Sequence, residues 1–262
     1  NFNYKKLKKK IYLIDVEYKF KKPFEIISNK SKSYISNCFN LALNLINLKV
    51  SNILINGPIS KKHFLKKKYP GVTEYLFNKS KIRISKEPTM LLFNKKISVS
   101  PITTHIPLKN VAKTINQKSI INKVLQIDAF YKANFNIVPK IALLGLNPHC
   151  ESKTNDNEEN IIIVPAIKKL KKKKIKVDGP FSADTFFMKK NLNKYNSVIG
   201  MYHDQVLTPF KTLFGFDASN ITLGLPFLRA SVDHGPNESM LGKNLSNTKS
   251  LKNIFDFLNS IK

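Results

Sequence analysis

Short apolar runs alternate with amphipathic stretches along the chain. Apolar runs of about four to eight residues bounded by turn residues are typical of buried strands. Such runs are NILING (52–57), TMLLFN (89–94), KISVSPITTH (96–105), KIALLGL (140–146), SVIGMYH (197–203) and NITLGL (220–225). Apolar residues at helical spacing occur in GPISKKHFL (57–65), Asn110–Asn134, NIIIVPAIKKLKKK (160–173) and SLKNIFDFLNSI (250–261). This alternation predicts an α/β protein with a mixed, largely parallel sheet.

The chain shows no division into domains, and its composition favours a cytoplasmic location. No internal repeat or Gly/Ser-rich linker divides the 262 residues, so we expect one catalytic unit over residues 1–262. No apolar run reaches the ~20 residues that a membrane-spanning helix needs. Cys38 and Cys150 are too few for a disulfide framework, which favours the reducing cytoplasm.

The formal net charge of +28 raises the question of nucleic-acid binding. The lysines are spread along the chain, with runs at residues 5–10, 66–68 and 168–176. Aromatic residues are not interleaved with them, as a base-stacking surface would require. We therefore expect the lysines to form solvated surfaces and expect no nucleic-acid partner; a basic nucleic-acid-binding module is the weaker alternative.

Three of the five histidines fall at or just beyond the ends of predicted strands. His105 ends KISVSPITTH, His149 lies three residues beyond KIALLGL, and His203 ends SVIGMYH. Ligands of α/β sheets bind beyond the carboxyl ends of strands, where such side chains can converge. Three imidazoles with an open position predict a divalent-metal site, with Asp184 and Asp204 orienting the imidazoles or approaching the metal. The alternative for each histidine alone is a hydrogen-bonded loop or core residue.

A second group of polar residues follows His203. Lys211, Asn220 and Arg229 offer an ammonium, an amide and a guanidinium, which suit a substrate carrying phosphate or carboxylate. The alternative is that Arg229 and Asp233 only pair with each other within a loop. The chain has no GxGxxG after a strand, no GxSxG and no CxxC, so it lacks the local signatures of a standard dinucleotide fold, a serine hydrolase and a thiol oxidoreductase.

Seven ordered motifs reveal a family resemblance. They are NGPISKKHF, YPGVTEYLF, TTHIPLKNV, LGLNPHCES, GPFSADTFF, MYHDQVLTPFK and NITLGLPFLRASVDHG. From about residue 33 to the C-terminus the chain resembles the 4-hydroxythreonine-4-phosphate dehydrogenases of pyridoxal 5'-phosphate biosynthesis. The resemblance implies an isocitrate/isopropylmalate-dehydrogenase-like fold with two interleaved subdomains around a central cleft, and a homodimer.

The same resemblance implies roles for individual residues. Its metal-binding histidines match His105, His149 and His203, for a cation such as Zn, Mg or Co. Its substrate contacts match Thr73, Lys211, Asn220 and Arg229. The implied reaction is the oxidation of 4-phosphooxy-L-threonine by NAD (or NADP), followed by decarboxylation to 3-amino-2-oxopropyl phosphate. Asp184 and Asp204 are the carboxylates available for acid–base catalysis.

The chain also departs from the family pattern. Val72 replaces a histidine in GVTE, Cys150 follows His149 in NPHCES, and DHGPN replaces DHGTA. We expect the family's N-terminal strand and its GDPAGIGPE-like segment to be absent. These departures leave open an alternative function, that of an inactive, folded metal-binding remnant.

Overall fold

The computed structural model describes residues 10–65, 68–80, 84–151 and 156–261. Much of the lysine run at 5–10 and residues 66–67 lie outside these ranges. The strands are β1 (Ile53–Asn56), β2 (Thr89–Phe93), β3 (Ser98–Thr103), β4 (Ile141–Leu144), β5 (Val177–Phe181), β6 (Ser197–Tyr202), β7 (Ser219–Leu223) and β8 (Leu228–Ser231). They form one sheet in the order β1-β8-β7-β2-β3-β6-β4-β5.

The α-helices of the described residues pack on both faces of this sheet. They are α1 (Lys32–Asn47), α2 (Lys61–Leu65), α3 (Val72–Lys79), α4 (Val111–Thr114), α5 (Gln117–Phe135), α6 (Val164–Lys172), α7 (Ala183–Phe186), α8 (Lys189–Leu192), α9 (His203–Phe214) and α10 (Lys249–Ser260). A π-helical turn, Glu159–Ile163, leads into α6. No helix among the described residues is long and apolar enough to cross a membrane.

The predicted mixed α/β sheet is confirmed. Strands β3, β6, β4 and β5 are parallel neighbours, and β1 is parallel to β8. Strands β2 and β7 pair antiparallel with each other and with their outer neighbours β3 and β8. The parallel strands β3, β4 and β6 are buried on both faces because helices cover both sides of the sheet, and they run in the same direction. Their carboxyl ends therefore meet at one edge.

Successive side chains of each strand point to opposite faces of the sheet, with one large hydrophobic core on one face and two smaller ones on the other. On one face Leu91, Ile221 and Ala230 join the large core, which α5, α6 and α10 cover. On the other face, one core lies under α1 to α3 and includes Leu54 of β1. The other lies under α7 and α9 and includes Leu92 of β2. Between these two cores the outward side chains of β7 and β8 are polar, so a cleft opens over the middle of the sheet.

The predicted helix Asn110–Asn134 is divided in two. Ile115 has an extended conformation (ψ 140°) and ends α4, and Asn116 caps α5 by accepting a hydrogen bond from Ser119 N at 2.9 Å. The hydrophobic periodicity was therefore correct, but it hid a break at a good N-cap residue.

The pattern gave no helix at α9 and no strand at β5. Pro209 lies inside α9, and Gly179-Pro180 lies inside β5, where these residue types argue against regular structure. Strand β5 tolerates the proline because it is an edge strand of the sheet.

Candidate active site

The cleft between the two smaller cores holds a cavity of ≈ 270 Å³. Six of the residues that the sequence predicts for the site line it: Thr73, His105, His203, Lys211, Asn220 and Arg229. They come from five elements, α3, β7, β8, α9 and the turn after β3. The cleft thus brings the predicted anion-binding side chains together with two of the three predicted metal ligands.

The Arg229 guanidinium lies buried in the floor of the cleft. Its Nε donates to Asn56 Oδ1 at 2.9 Å, and its Nη1 donates to Thr222 Oγ1 at 3.0 Å and Thr73 Oγ1 at 3.4 Å. The residue is 3% exposed, and burial lowers the pKa of Arg229 to about 10, with the Glu74 carboxylate opposing this shift. All three acceptors are neutral, so the positive charge stays available to a bound anion.

Lys211 carries a counter-ion in the structure. Its Nζ lies 3.2 Å from Asp233 Oδ2 and donates to the Asp233 backbone carbonyl at 3.1 Å. The Asp233 side chain is 2% exposed, and its other carboxylate oxygen accepts a hydrogen bond from Ser250 Oγ. Asp233 therefore pairs with Lys211, and not with Arg229 as the alternative interpretation supposed.

Asn220 and Val72 complete the floor. Asn220 Oδ1 is buried and accepts no hydrogen bond from the described residues, which is costly unless a ligand donates to it. Val72, at the start of α3, borders the cavity but is 8% exposed and packs in the core under α1 to α3. The departure from histidine at this position thus places methyl groups beside the cleft.

His105 and His203 approach each other at the carboxyl edge of the sheet. Their ring centroids are 6.0 Å apart, because β3 and β6 are parallel neighbours that end side by side. His203 Nδ1 lies 2.6 Å from Asp204 Oδ1, which leaves Nε2 of His203 free to bind a metal. Burial and the Lys61 ammonium lower the pKa of His105, while Glu74 opposes them. A lowered pKa keeps this imidazole neutral, as metal binding requires.

His149 does not join this pair. It has a left-handed backbone (φ 56°), its side chain is 70% exposed, and its Nδ1 lies 3.7 Å from Asp184 Oδ2. A hydrogen bond from Ser182 lowers the pKa of Asp184, with smaller contributions that include His149. The two predicted carboxylates thus each contact a predicted metal ligand, Asp184 at His149 and Asp204 at His203.

The loop that carries His149 is held by Glu159. Its Oε1 accepts hydrogen bonds from the backbone N–H groups of Leu146 and Asn147 at 2.7 and 2.8 Å, and its Oε2 accepts one from the Asn147 side chain. Burial raises the pKa of Glu159, but these donors outweigh it and the net shift is downward. Glu159 is 2% exposed, so it fixes the loop from inside.

The donor set fits a divalent cation only in part. Among the described residues, no cluster of three or more His, Cys, Asp or Glu side chains is close enough to hold a metal. His105 and His203 supply two adjacent imidazoles, and His149 presents a third from an exposed loop. A site of three imidazoles therefore needs His149 to come from elsewhere, either by movement of its loop or from a second chain.

Sequence reasoning missed three residues with a clear place in the site. Asn56 binds Arg229, Lys61 contacts His105, and Glu159 holds the His149 loop. Asn56 and Lys61 lie in the quoted NGPISKKHF motif, whose position after a strand could have drawn attention to them.

The amino-acid sequence is similar to a family model and to relatives that share one enzyme name. Residues 2–257 match the family model described as "Pyridoxal phosphate biosynthetic protein PdxA". The 4-hydroxythreonine-4-phosphate dehydrogenase of Sulfurihydrogenibium sp. is 40% identical over 251 residues, covering 93% of this chain and 75% of the relative. That of Aquifex aeolicus is 35% identical over 275 residues, covering 99% of this chain and 83% of the relative.

Similar solved structures carry the same enzyme name as the relatives found by sequence. The 4-hydroxythreonine-4-phosphate dehydrogenase of Klebsiella pneumoniae superposes with a TM-score of 0.73 at 29% identity, covering 90% of this chain and 73% of that one. A Salmonella typhimurium structure titled as a putative enzyme of the same name has a TM-score of 0.75 at 30% identity and covers 89% and 72%. The expected isocitrate-dehydrogenase-like fold is thereby confirmed, and the chain belongs to the PdxA family of pyridoxal phosphate biosynthetic proteins.

Proposed function

We propose that this protein oxidises 4-phosphooxy-L-threonine with NAD or NADP and decarboxylates the product to 3-amino-2-oxopropyl phosphate, a step of vitamin B6 biosynthesis. The observation that carries the proposal is the convergence of six predicted site residues on one cavity. The names of the relatives supply the reaction class. The alternative of an inactive remnant has no observation in its favour.

The cationic floor of the cleft binds the anionic ends of the substrate. Arg229 keeps Nη2 for a substrate oxygen, since none of the described residues is hydrogen-bonded to it. Lys211 adds a second ammonium, and Asn220 Oδ1 accepts a hydrogen bond from the substrate. Thr73 orients the bound molecule from the start of α3. Fixing the substrate at several points aligns its hydroxyl-bearing carbon for hydride loss.

His105, His149 and His203 hold the divalent cation, with Zn, Mg or Co as candidates. When bound, the cation supplies Lewis acidity next to the substrate hydroxyl, and NAD supplies the hydride acceptor. Asp204 and Asp184 hold the tautomers of their histidines and are the carboxylates that can take the hydroxyl proton. The positive groups of the cleft then stabilise the enolate oxygen that develops as CO2 leaves.

We infer that the protein is a homodimer, and the separation of His149 from the His105–His203 pair supports this inference. A homodimer that brings the His149 loop of one chain to the His105–His203 pair of the other would complete the ligand set. The two cores that flank the cleft are the cores of the two subdomains expected for this fold. Both cysteines are free thiols, which suits an enzyme of the reducing cytoplasm.

The test is a turnover assay with the purified protein, 4-phosphooxy-L-threonine, NAD and an added divalent metal. We expect NADH and CO2 to form together and to disappear when His203 is replaced by Ala. D-threonate 4-phosphate is the informative comparison substrate, because a relative that is 36% identical over 185 residues is named D-threonate 4-phosphate dehydrogenase. Absence of turnover with every metal and both substrates would contradict the proposal and favour the remnant.

A further inference from the structure

Lys61 is a cation of the cleft to which neither the sequence nor the comparisons give a role. It begins α2, directly after the turn that follows β1, and its side chain lines the same cavity as Arg229 and Lys211. Its Nζ lies 3.2 Å from His105 Nε2. An ammonium can only donate, so the imidazole accepts this hydrogen bond with the lone pair of Nε2.

Lys61 has no ion-pair partner among the described residues. Lys211 has the Asp233 carboxylate beside it, and Arg229 is fixed by three neutral oxygens. Among the described residues, no carboxylate lies within ion-pair distance of Lys61, and its hydrogen-bond partner is the neutral His105 ring. A cation held this way has a strong preference for an anion that enters the cleft.

The contact also bears on His105 as a metal ligand. The Nε2 lone pair that accepts from Lys61 is the electron pair that a divalent cation would use, and two cations cannot share it. Binding of a metal must therefore move the ammonium away. The side chain is a flexible four-carbon stem, so the displaced ammonium stays within reach of the cavity.

We propose that Lys61 is a substrate-binding residue whose ammonium contacts His105 Nε2 as long as no metal is bound to that atom and, once a metal takes it, binds an anionic oxygen of the substrate. The proposal rests on the proposed function for the identity of that substrate. Lys61 would then join Lys211 and Arg229 as the third cationic side chain that binds the phosphorylated substrate. Metal binding and substrate binding would each strengthen the other. Lys62, next in the chain, is exposed and does not line the cavity, so it is the matched control.

The experiment measures two affinities and needs no turnover. Co²⁺ is titrated into metal-free wild type, Lys61→Met and Lys62→Met, and 4-phosphooxy-L-threonine is then titrated into the metal-loaded proteins by calorimetry without NAD. We expect Lys61→Met to bind Co²⁺ about tenfold more tightly, because a competing like charge is gone. We expect the same variant to bind the phosphoamino acid about 10- to 100-fold more weakly, because a charge-assisted hydrogen bond is lost.

The control and the conservative variant separate this role from a general effect of charge or folding. Lys62→Met, with the same loss of charge, should match the wild type in both titrations, and Lys61→Arg should recover most of the substrate affinity. An unchanged Co²⁺ affinity in Lys61→Met, or an unchanged substrate affinity, would each overturn the proposal. A wild-type protein that binds Co²⁺ but not the phosphoamino acid would instead contradict the proposed function.

Discussion

Asn56 determines where the charge of Arg229 points. The Nε–H of the guanidinium donates to the Asn56 side chain, and this hydrogen bond joins the end of β1 to β8 across the floor of the cleft. Without the acceptor, a buried N–H loses its partner, and only the two hydrogen bonds of Nη1 still orient the planar group. The position of the charge is thus set by a residue that does not itself need to touch the substrate.

We therefore expect Asn56→Ala to raise KM for the phosphorylated substrate by about 10- to 100-fold, as loss of one hydrogen bond to a charged group predicts. Arg229→Met should raise it further. Asn52→Ala is the control, since Asn52 precedes β1 and does not line the cleft. Steady-state kinetics at saturating NAD check this, and a KM for Asn56→Ala equal to that of Asn52→Ala would refute the positioning role.

Tyr131 gives the fold a specific sensitivity to alkali. Its hydroxyl is buried, donates to the Asn196 carbonyl at 2.8 Å and lies 3.0 Å from Ser98 Oγ, and burial raises the pKa of Tyr131 to about 12. The unfolded chain loses this proton near pH 10, so the contribution is complete below pH ~10 and is lost as the pH rises toward 12. The free energy of unfolding should fall by about 2–3 kcal/mol from this residue over that window.

Urea unfolding at about pH 9 and pH 12 tests the prediction. Tyr131→Phe should start less stable but lose less stability between the two pH values than the wild type does. Tyr18→Phe, which removes a hydroxyl outside the core, should lose as much as the wild type. Equal losses in the wild type and Tyr131→Phe would show that this hydroxyl is not the titrating group.

At the scale of single residues, position along the strands was the most informative part of the sequence. It placed His105 and His203 at neighbouring strand ends and so predicted that they meet. It could not place His149, because the loop beyond β4 takes its direction from Glu159, which lies thirteen residues after Leu146 and outside any strand. Side-chain contacts between distant loops have no period in the sequence.

The basic face of α6 is a surface whose charge we do not expect to take part in binding or catalysis. All seven lysines between residues 168 and 176 are exposed, while Ala166, Ile167 and Leu170 pack into the large core. The prediction that these lysines lie on the surface is confirmed. The helix is amphipathic, and its lysines lie at the surface, where contacts such as Lys169 with Gln117 and Lys171 with Asp178 contribute little to stability.

We expect the triple variant Lys168→Gln, Lys172→Gln and Lys173→Gln to keep kcat and KM within about twofold of the wild type, since none of the three lines the cleft. Lys211→Gln removes a single charge and should raise KM by more than the triple variant. A large loss of turnover in a folded triple variant would reveal a partner or substrate that uses this face.

The strongly periodic elements were the predictable ones. Strands β2, β3, β4, β6 and β7 and helices α6 and α10 coincide with apolar patterns visible in the sequence. Strand β8 (LRAS) has four residues, two of them polar, so it offers no apolar run to recognise. Where tertiary packing overrides local preference, as at Pro209 in α9, the sequence alone points to the wrong local structure.

At the scale of the whole molecule, the sheet order determines the site. Strands β2 and β7 run antiparallel between the parallel pair β1–β8 and the parallel group β3-β6-β4-β5. One cleft is therefore lined by the cationic residues of β8 and α9 and by the histidines that follow β3 and β6. Alternation of strands and helices predicts this class of architecture but not the order of strands. The order depends on pairing between strands that are far apart in the sequence, which local patterns do not show.

The position of His149 then predicts how chains share the site. If His149 reaches the His105–His203 pair of a second chain, co-expressed His149→Ala and His203→Ala chains form mixed dimers with one intact site each. Random pairing should restore about a quarter of wild-type activity, because about half of the dimers are mixed. Co-expressed His105→Ala and His203→Ala chains are the control and should restore nothing, since their lesions lie in the same half of the ligand set. Turnover assays of the two purified mixtures beside the wild type decide the point, and failure of the first mixture would mean that the His149 loop closes onto its own chain.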